Sequence, residues 1–218
     1  MYDINTNDSL TKIPIPAILI LGLGENCNKS DIQSEICEKM ENLEYKVSKI
    51  HPLPDLEDLP LWKKILYYNK YFNDIIDKEN SDVLIVSAPG GIMPISDTNH
   101  EFFGENAIAI SRALKADISI LSIYNGYNSS FSKKTFESLS NYCKYALEAD
   151  VDYFHISNTQ LIFEQDRRSI GFLETNCIDN LKIIKNLGIN IFNIYDENTK
   201  NEIFEKIIYE LQDNPEII

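Results

Sequence analysis

The run AILILG (17–22) is apolar throughout, and DVLIVSAPGG (82–91) and DISILSIYNG (117–126) open almost as apolar. A strand with one wet face alternates apolar with polar residues, so unbroken runs of strand length fit strands covered on both faces. Between them the period changes. Ile32, Ile36, Met40 and Leu43 recur at helical spacing, as do Leu61, Ile65, Tyr68, Phe72 and Ile75. The same reading predicts helices over about 30–44, 61–78, 104–115, 132–149 and 177–188, the last stopped by Gly188. A final helix is predicted from the Thr199-x-x-Glu202 capping box, with Ile203, Ile207 and Leu211 on one face. Further strands are expected at YKVSKI (45–50), VDYFHIS (151–157), SIGFLET (169–175) and INIFNIYD (189–196), while the three prolines of HPLPDLEDLP (51–60) mark a loop. Strands alternating with helices predict a three-layer α/β protein, P-loop NTPase-like, with a mostly parallel sheet and helices on both faces. Residues 1–16 read as a polar arm and 17–218 as a single domain, since no linker or internal repeat divides them.

In an open parallel sheet, ligands bind outside the carboxyl ends of the strands. Those ends read GLGENCNK (22–29), SAPGGIMP (87–94), YNGYN (124–128) and HISNTQ (155–160). The first runs on into Lys29-Ser30, the ending of a phosphate loop G-x-x-x-x-G-K-[ST], in which backbone N–H groups and the lysine hold phosphates and the hydroxyl ligates magnesium. The alignment puts Leu23 and Asn28 at the two glycine positions, with Gly22 one residue early. Asn tolerates positive φ better than other non-glycine residues and is the most suitable stand-in. Glu25 opposes a triphosphate by its charge. Two readings therefore stand: a phosphate or nucleotide site, or a turn whose glycines only bend the chain. The candidate phosphate-binding residues are Gly22, Gly24, Glu25, Asn26, Cys27, Asn28, Lys29 and Ser30. A second rim is formed by Ser87, Pro89, Gly90, Gly91, Asn125, Ser157 and Asn158.

A dinucleotide fold is a further alternative. Gly22-Leu23-Gly24 supplies two glycines, but Cys27 takes the third place and Lys49 stands where an acid would hold the ribose. P-loop NTPases end the strand at 82–87 on an Asp that holds the magnesium shell, whereas this chain has Ser87, with Asp97 the nearest substitute. That pattern predicts binding without hydrolysis. The Pro89-Gly90-Gly91 turn is also similar to that of glutamine-amidotransferase-like folds, but no G-x-C-x-G or G-x-S-x-G elbow is present.

The other candidates are weaker. Cys27 precedes a helix start, where thiols gain reactivity. His51, His100 and His155 lack metal-ligand spacing, so no metal site is assigned. Asn99-His100-Glu101 reads as a helix cap and Arg167-Arg168 as solvated charge or an anion clamp. Trp62, Tyr67, Tyr68 and Tyr71 suggest an exposed aromatic patch on one helix, and hence a protein partner. The 34 acids against 20 bases give a formal charge of −14, which disfavours nucleic acid. The start MYDINTNDSLTKIPIP lacks a signal peptide, no run spans a bilayer, and the four cysteines form no CxxC pair. The expectation is a cytoplasmic protein with reduced thiols and no membrane partner; homo-oligomerisation is left open.

With those residues placed, the chain resembles a family of bacterial peptide-maturation-system proteins. These accessory proteins occur beside radical-SAM enzymes that modify ribosomally made, cysteine-repeat peptides. The likeness lies in G-x-G-E-N-C-N-K-x-x-x-Q (22–33), DVLIVSAPGGIMP (82–94) and HISNTQLIF (155–163), spanning roughly Ala17 to Thr175. The resemblance implies a P-loop-like fold, a peptide substrate or radical-SAM-type enzyme as partner, and Gly22, Gly24, Glu25, Asn26, Cys27, Lys29, Gln33, Pro89, Gly90, Gly91, Ser157 and Asn158 as candidate site residues without assigned roles. On the family pattern a glycine precedes the lysine, where this chain has Asn28. Family members also carry an additional N-terminal half, so this chain reads as a stand-alone version. Function is thus read as accessory to ribosomal peptide maturation through binding of a peptide or partner enzyme, with two cofactor alternatives: ATP or GTP with magnesium at the loop, or none. An ATPase or GTPase switch, or an NAD(P)-binding or redox protein, are the alternatives.

Overall fold

The computed structural model describes residues 9–54, 56, 58–94, 104–126, 131–163, 170–177 and 187–212. Along the chain these form β1 (Ala17–Gly22), α1 (Lys29–Glu41), β2 (Val47–Ile50), α2 (Leu61–Glu79), β3 (Val83–Ser87), α3 (Glu105–Leu114) and β4 (Ile118–Ile123). Then follow α4 (Lys133–Tyr142) with a π-helical turn (Cys143–Leu147), β5 (Tyr153–Ile156), β6 (Thr159–Phe163), β7 (Ile170–Glu174), β8 (Ile191–Phe192) and α5 (Glu197–Gln212). Six strands make one sheet in the order β2-β3-β1-β4-β5-β8, and every pairing in it is parallel. The fold is the expected three-layer α/β architecture with helices on both faces.

β1 explains why its residues read as uniformly apolar. Leu19 and Leu21 point to one face and pack with Phe72 of α2, Ile110 of α3 and Phe136 of α4. Ile18 and Ile20 point to the other and pack with Ile32 and Ile36 of α1 and Ile203 and Ile207 of α5. Right-handed crossovers require this division: the chain leaves β1 toward β2 over one face and returns through α2 and α3 over the other. Both neighbours of β1, β3 and β4, lead the chain to the face opposite α1. The crevice of the sheet opens at the tip of β1.

Three expectations shift. The helix predicted through residue 149 turns π-helical at Cys143–Leu147, and the Leu147 carbonyl accepts from Ser111 Oγ at 2.7 Å. α5 begins before the predicted capping box: Asp196 accepts from the N–H of Asn198 at 3.1 Å, and Thr199 lies buried inside the first turn. The strand predicted at 189–196 shrinks to Ile191–Phe192, because Asn193 turns inward to donate to the Ile156 carbonyl at 2.6 Å. The predicted helix at 177–188, Asp97, Asn99-His100-Glu101 and Arg167-Arg168 lie wholly or largely outside the described residues.

Before β1 the chain is held by Asn69 of α2, whose amide copies a strand partner. Its Oδ1 accepts from the N–H of Thr11 at 2.8 Å, and its Nδ2 donates to the carbonyls of Thr11 and Ala113, both at 2.8 Å. Tyr67 and Tyr68 are buried and Tyr71 is half-buried, with Tyr67 stacked on Tyr71 and Tyr68 on Phe72, leaving Trp62 as the exposed aromatic of α2. The aromatic patch expected on that helix is therefore core packing. Among the described residues, no helix is long and apolar enough to cross a membrane.

Candidate functional site

The β1–α1 loop is built around Lys29. Its ammonium donates to the carbonyl of Gly24 at 3.3 Å and to that of Gly90 in the turn after β3. The lysine runs across Gly22, where an added Cβ would meet its Cδ at 2.8 Å and the Gly24 oxygen at 2.9 Å. Gly22 is a glycine because the lysine needs that path. Asn26 and Asn28 both adopt left-handed backbone, with φ of 54° and 58°. Asn28 therefore supplies the conformation that glycine would have given at the start of α1.

The Asn28 side chain does not cap α1. Its Oδ1 accepts instead from Ser157 Oγ at 2.6 Å and the N–H of Asn158 at 3.2 Å, while its Nδ2 donates to Asp31 at 2.9 Å. This ties the loop to the tip of β5. Two further residues hold it from the end of β4. Tyr124 donates to the Glu25 carbonyl at 2.6 Å, and Ser122 Oγ donates to the Cys27 carbonyl. With its proton spent there, Ser122 accepts from His155 Nδ1 at 2.8 Å, which fixes the Nδ1–H tautomer. His155 is fully buried against Phe192, and burial pushes its pKa down to about 3. It is a neutral strut.

The loop floors a cavity of about 490 Å³ whose far wall is Asn158, Thr159, Phe172 and Glu174. That wall belongs to the antiparallel β6–β7 hairpin, which rises from the end of β5. Its base is stapled to the sheet. Asn125 donates through its N–H to the Thr159 carbonyl at 2.8 Å and through Nδ2 to Thr175 Oγ1 at 2.7 Å. Thr175 in turn donates to the Asn158 carbonyl through its N–H at 2.6 Å. A second cavity of about 370 Å³ continues past Asn158 and Glu174 to Thr175, Asn176, Asn193 and Tyr195.

No protein-family model matches the sequence, and no curated protein matches it. Solved structures do share the fold. The chain is similar to a DUF1611-family protein from Anabaena variabilis, with a TM-score of 0.61 at 8% identity, over 94% of this chain and 62% of that one. This chain thus spans less than two thirds of that protein's length. Fainter likenesses reach a nucleotide-binding protein from Archaeoglobus fulgidus solved with ADP (TM-score 0.41, 10% identity, 92% of this chain and 89% of that one). They extend to thymidylate kinase from Ehrlichia chaffeensis (TM-score 0.31, 12% identity, 92% and 100%). At 8% identity the first of these likenesses describes architecture alone, and no argument rests on the two fainter ones.

Of the residues expected from sequence, Lys29 bonds Gly24 and Gly90 and lies against Gly22, while the neighbouring Asn28 bonds Ser157 and Asn158. Asn26, Cys27 and Ser30 line the cavity, and the Glu25 side chain is exposed. Ser87, Pro89 and Gly91 line neither cavity, and Asn125 braces the hairpin. Gln33 is buried beneath the rim, donating to the carbonyls of Ile50 and Ile85 at 3.1 and 2.8 Å, and so joins α1 to β2 and β3. Sequence reasoning missed Asp31, Thr159, Phe172, Glu174 and Tyr195. The strand order also departs from a dinucleotide fold: β3, not β2, lies beside β1.

Proposed function

We propose that this chain binds the phosphates of a nucleotide on the β1–α1 loop. The observation that carries the reading is Lys29, laid across Gly22 at the tip of the central strand and bordering a cavity floored by the start of α1. The first N–H groups of a helix have no intrahelical acceptor and favour an anion by about 0.3–1 kcal/mol. Because Asn28 turns its side chain toward β5, the helix end is not closed by its own cap residue. An arriving phosphate would draw the ammonium away from the carbonyls of Gly24 and Gly90. Ser30, exposed at the same helix start, would supply the hydroxyl for magnesium carried with ATP or GTP.

Calorimetric titration of ATP and GTP with magnesium tests this. Micromolar binding by the native chain, lost in Lys29→Ala, is expected; binding unchanged by the substitution would place the nucleotide elsewhere. The finer reading, an accessory of ribosomal peptide maturation, rests on the resemblance of the three motifs. It gains support from Ile162, Phe163, Phe172 and Leu173, exposed on the hairpin beside the cavity. Capture of a precursor peptide or radical-SAM enzyme encoded beside this chain is expected, and failure with both removes that reading.

A further inference from the structure

The two cavities meet along Asn158 and Glu174, and what those side chains can offer is already fixed. Asn158 Oδ1 accepts from Asn193 Nδ2 at 3.0 Å and from Cys177 Sγ at 3.2 Å. Asn193 is itself buried and anchored to the Ile156 carbonyl, so the amide of Asn158 cannot flip without breaking this network. Asn158 can therefore give a ligand donors but no acceptor. Glu174 is the reverse: an exposed carboxylate, an acceptor only, at the end of β7 next to the Thr175 staple. The Tyr195 ring stands at the far side of the second cavity, more than half exposed, with its hydroxyl 3.5 Å from Asp31.

Resting on the phosphate reading above, we infer that the ligand is a guanine nucleotide, its base lying beyond the phosphate loop between Asn158 and Glu174 and facing Tyr195. Guanine presents acceptors at O6 and N7 and donors at N1 and N2. The fixed Asn158 donor and the Glu174 carboxylate meet both edges, and the two parallel N–H groups give the carboxylate a charge-assisted pair of bonds. Adenine has one donor group, at N6, and sets the bare N1 acceptor beside it, facing the carboxylate. The second cavity is large enough for a purine, and an aromatic wall accepts any base face.

The test is calorimetry with tripolyphosphate, GDP, IDP and ADP, on the native chain, Glu174→Gln and Lys29→Ala. GDP is expected to bind about tenfold tighter than ADP, with IDP, which lacks the N2 amine, in between. Glu174→Gln should bring GDP close to ADP and leave tripolyphosphate unchanged, a pattern that unfolding would not produce. ADP binding as tightly as GDP, with tripolyphosphate still sensitive to Lys29→Ala, overturns the guanine assignment and leaves the phosphate reading standing. No binding of any probe overturns both.

Discussion

Asn28 does two jobs that glycine would have left as one. It takes the left-handed backbone that starts α1, and its amide fastens the loop to β5. The two can be separated. Asn28→Gly keeps the backbone and loses the fastening, for about 1 kcal/mol; Asn28→Ala loses both, for roughly 2–3 kcal/mol. Urea denaturation should rank the native chain above Asn28→Gly, and Asn28→Gly above Asn28→Ala; equal losses would show that φ carries no strain. Gly22 gives a sharper case. In Gly22→Ala the methyl group meets both the lysine stem and the Gly24 carbonyl, so one must move. Nucleotide binding is expected to fall as far as in Lys29→Ala, although the lysine is still present; calorimetry on the two variants side by side checks it.

Asp152, at the start of β5, carries a charge that the folded element holds poorly. Burial is the main cause of its pKa rising from 3.8 to about 6, aided by Glu210 and Asp150 and opposed by the Ser119 N–H that it accepts at 2.8 Å. Between those values the folded chain binds a proton that the unfolded chain does not, so this group adds stability as pH falls through 6 toward 4. Asp152→Asn keeps the acceptor and removes the charge. It should raise the melting temperature near pH 7 by about 2–4 °C, corresponding to roughly 1 kcal/mol after allowance for the solvent that the carboxyl still touches, and the gain should vanish by about pH 4. His155, on the same strand, acts oppositely: its pKa drops from 6.5 to about 3, so its contribution is complete above 6.5 and declines as pH falls. At the level of elements, most of this architecture is written in the sequence. β1, β3 and β4 announce themselves because burial on both faces leaves nearly unbroken apolar runs, interrupted only by the small Ser87, Ser119 and Ser122, and α1 to α3 because each keeps one apolar stripe. β6 does not. Its residues TQLIF are largely exposed and read as the tail of a loop, so the hairpin wall with Phe172 and Glu174 stayed hidden although β7 was expected. The loop half of the site was legible because its strand, glycines and Lys29-Ser30 follow a recognisable local pattern. The wall was not, because pairing β6 with β7 is a contact that no local pattern encodes.

For the molecule as a whole, a formal charge of −14 means that the folded state works against its own repulsion. Raising sodium chloride from about 0.01 to 0.15 M shortens the screening length from about 30 to 8 Å and should raise the melting temperature. A flat response would mean that local pairs such as Lys64–Glu105, at 3.1 Å, already offset the excess. The margins of the large sheet have a separate consequence, for self-association. One margin, β8, is two residues long; the other, β2, is four and carries the exposed Lys49. Short or charged borders give a neighbouring chain little to extend. The β6–β7 ladder has the opposite character: five residues in each strand, no third strand among the described residues, and Ile162, Phe163, Phe172 and Leu173 open to water. If copies of this protein precipitate by strand addition, they will begin there, and Ile162→Lys should raise the concentration at which light scattering first appears, whereas a lysine placed on α5 should not.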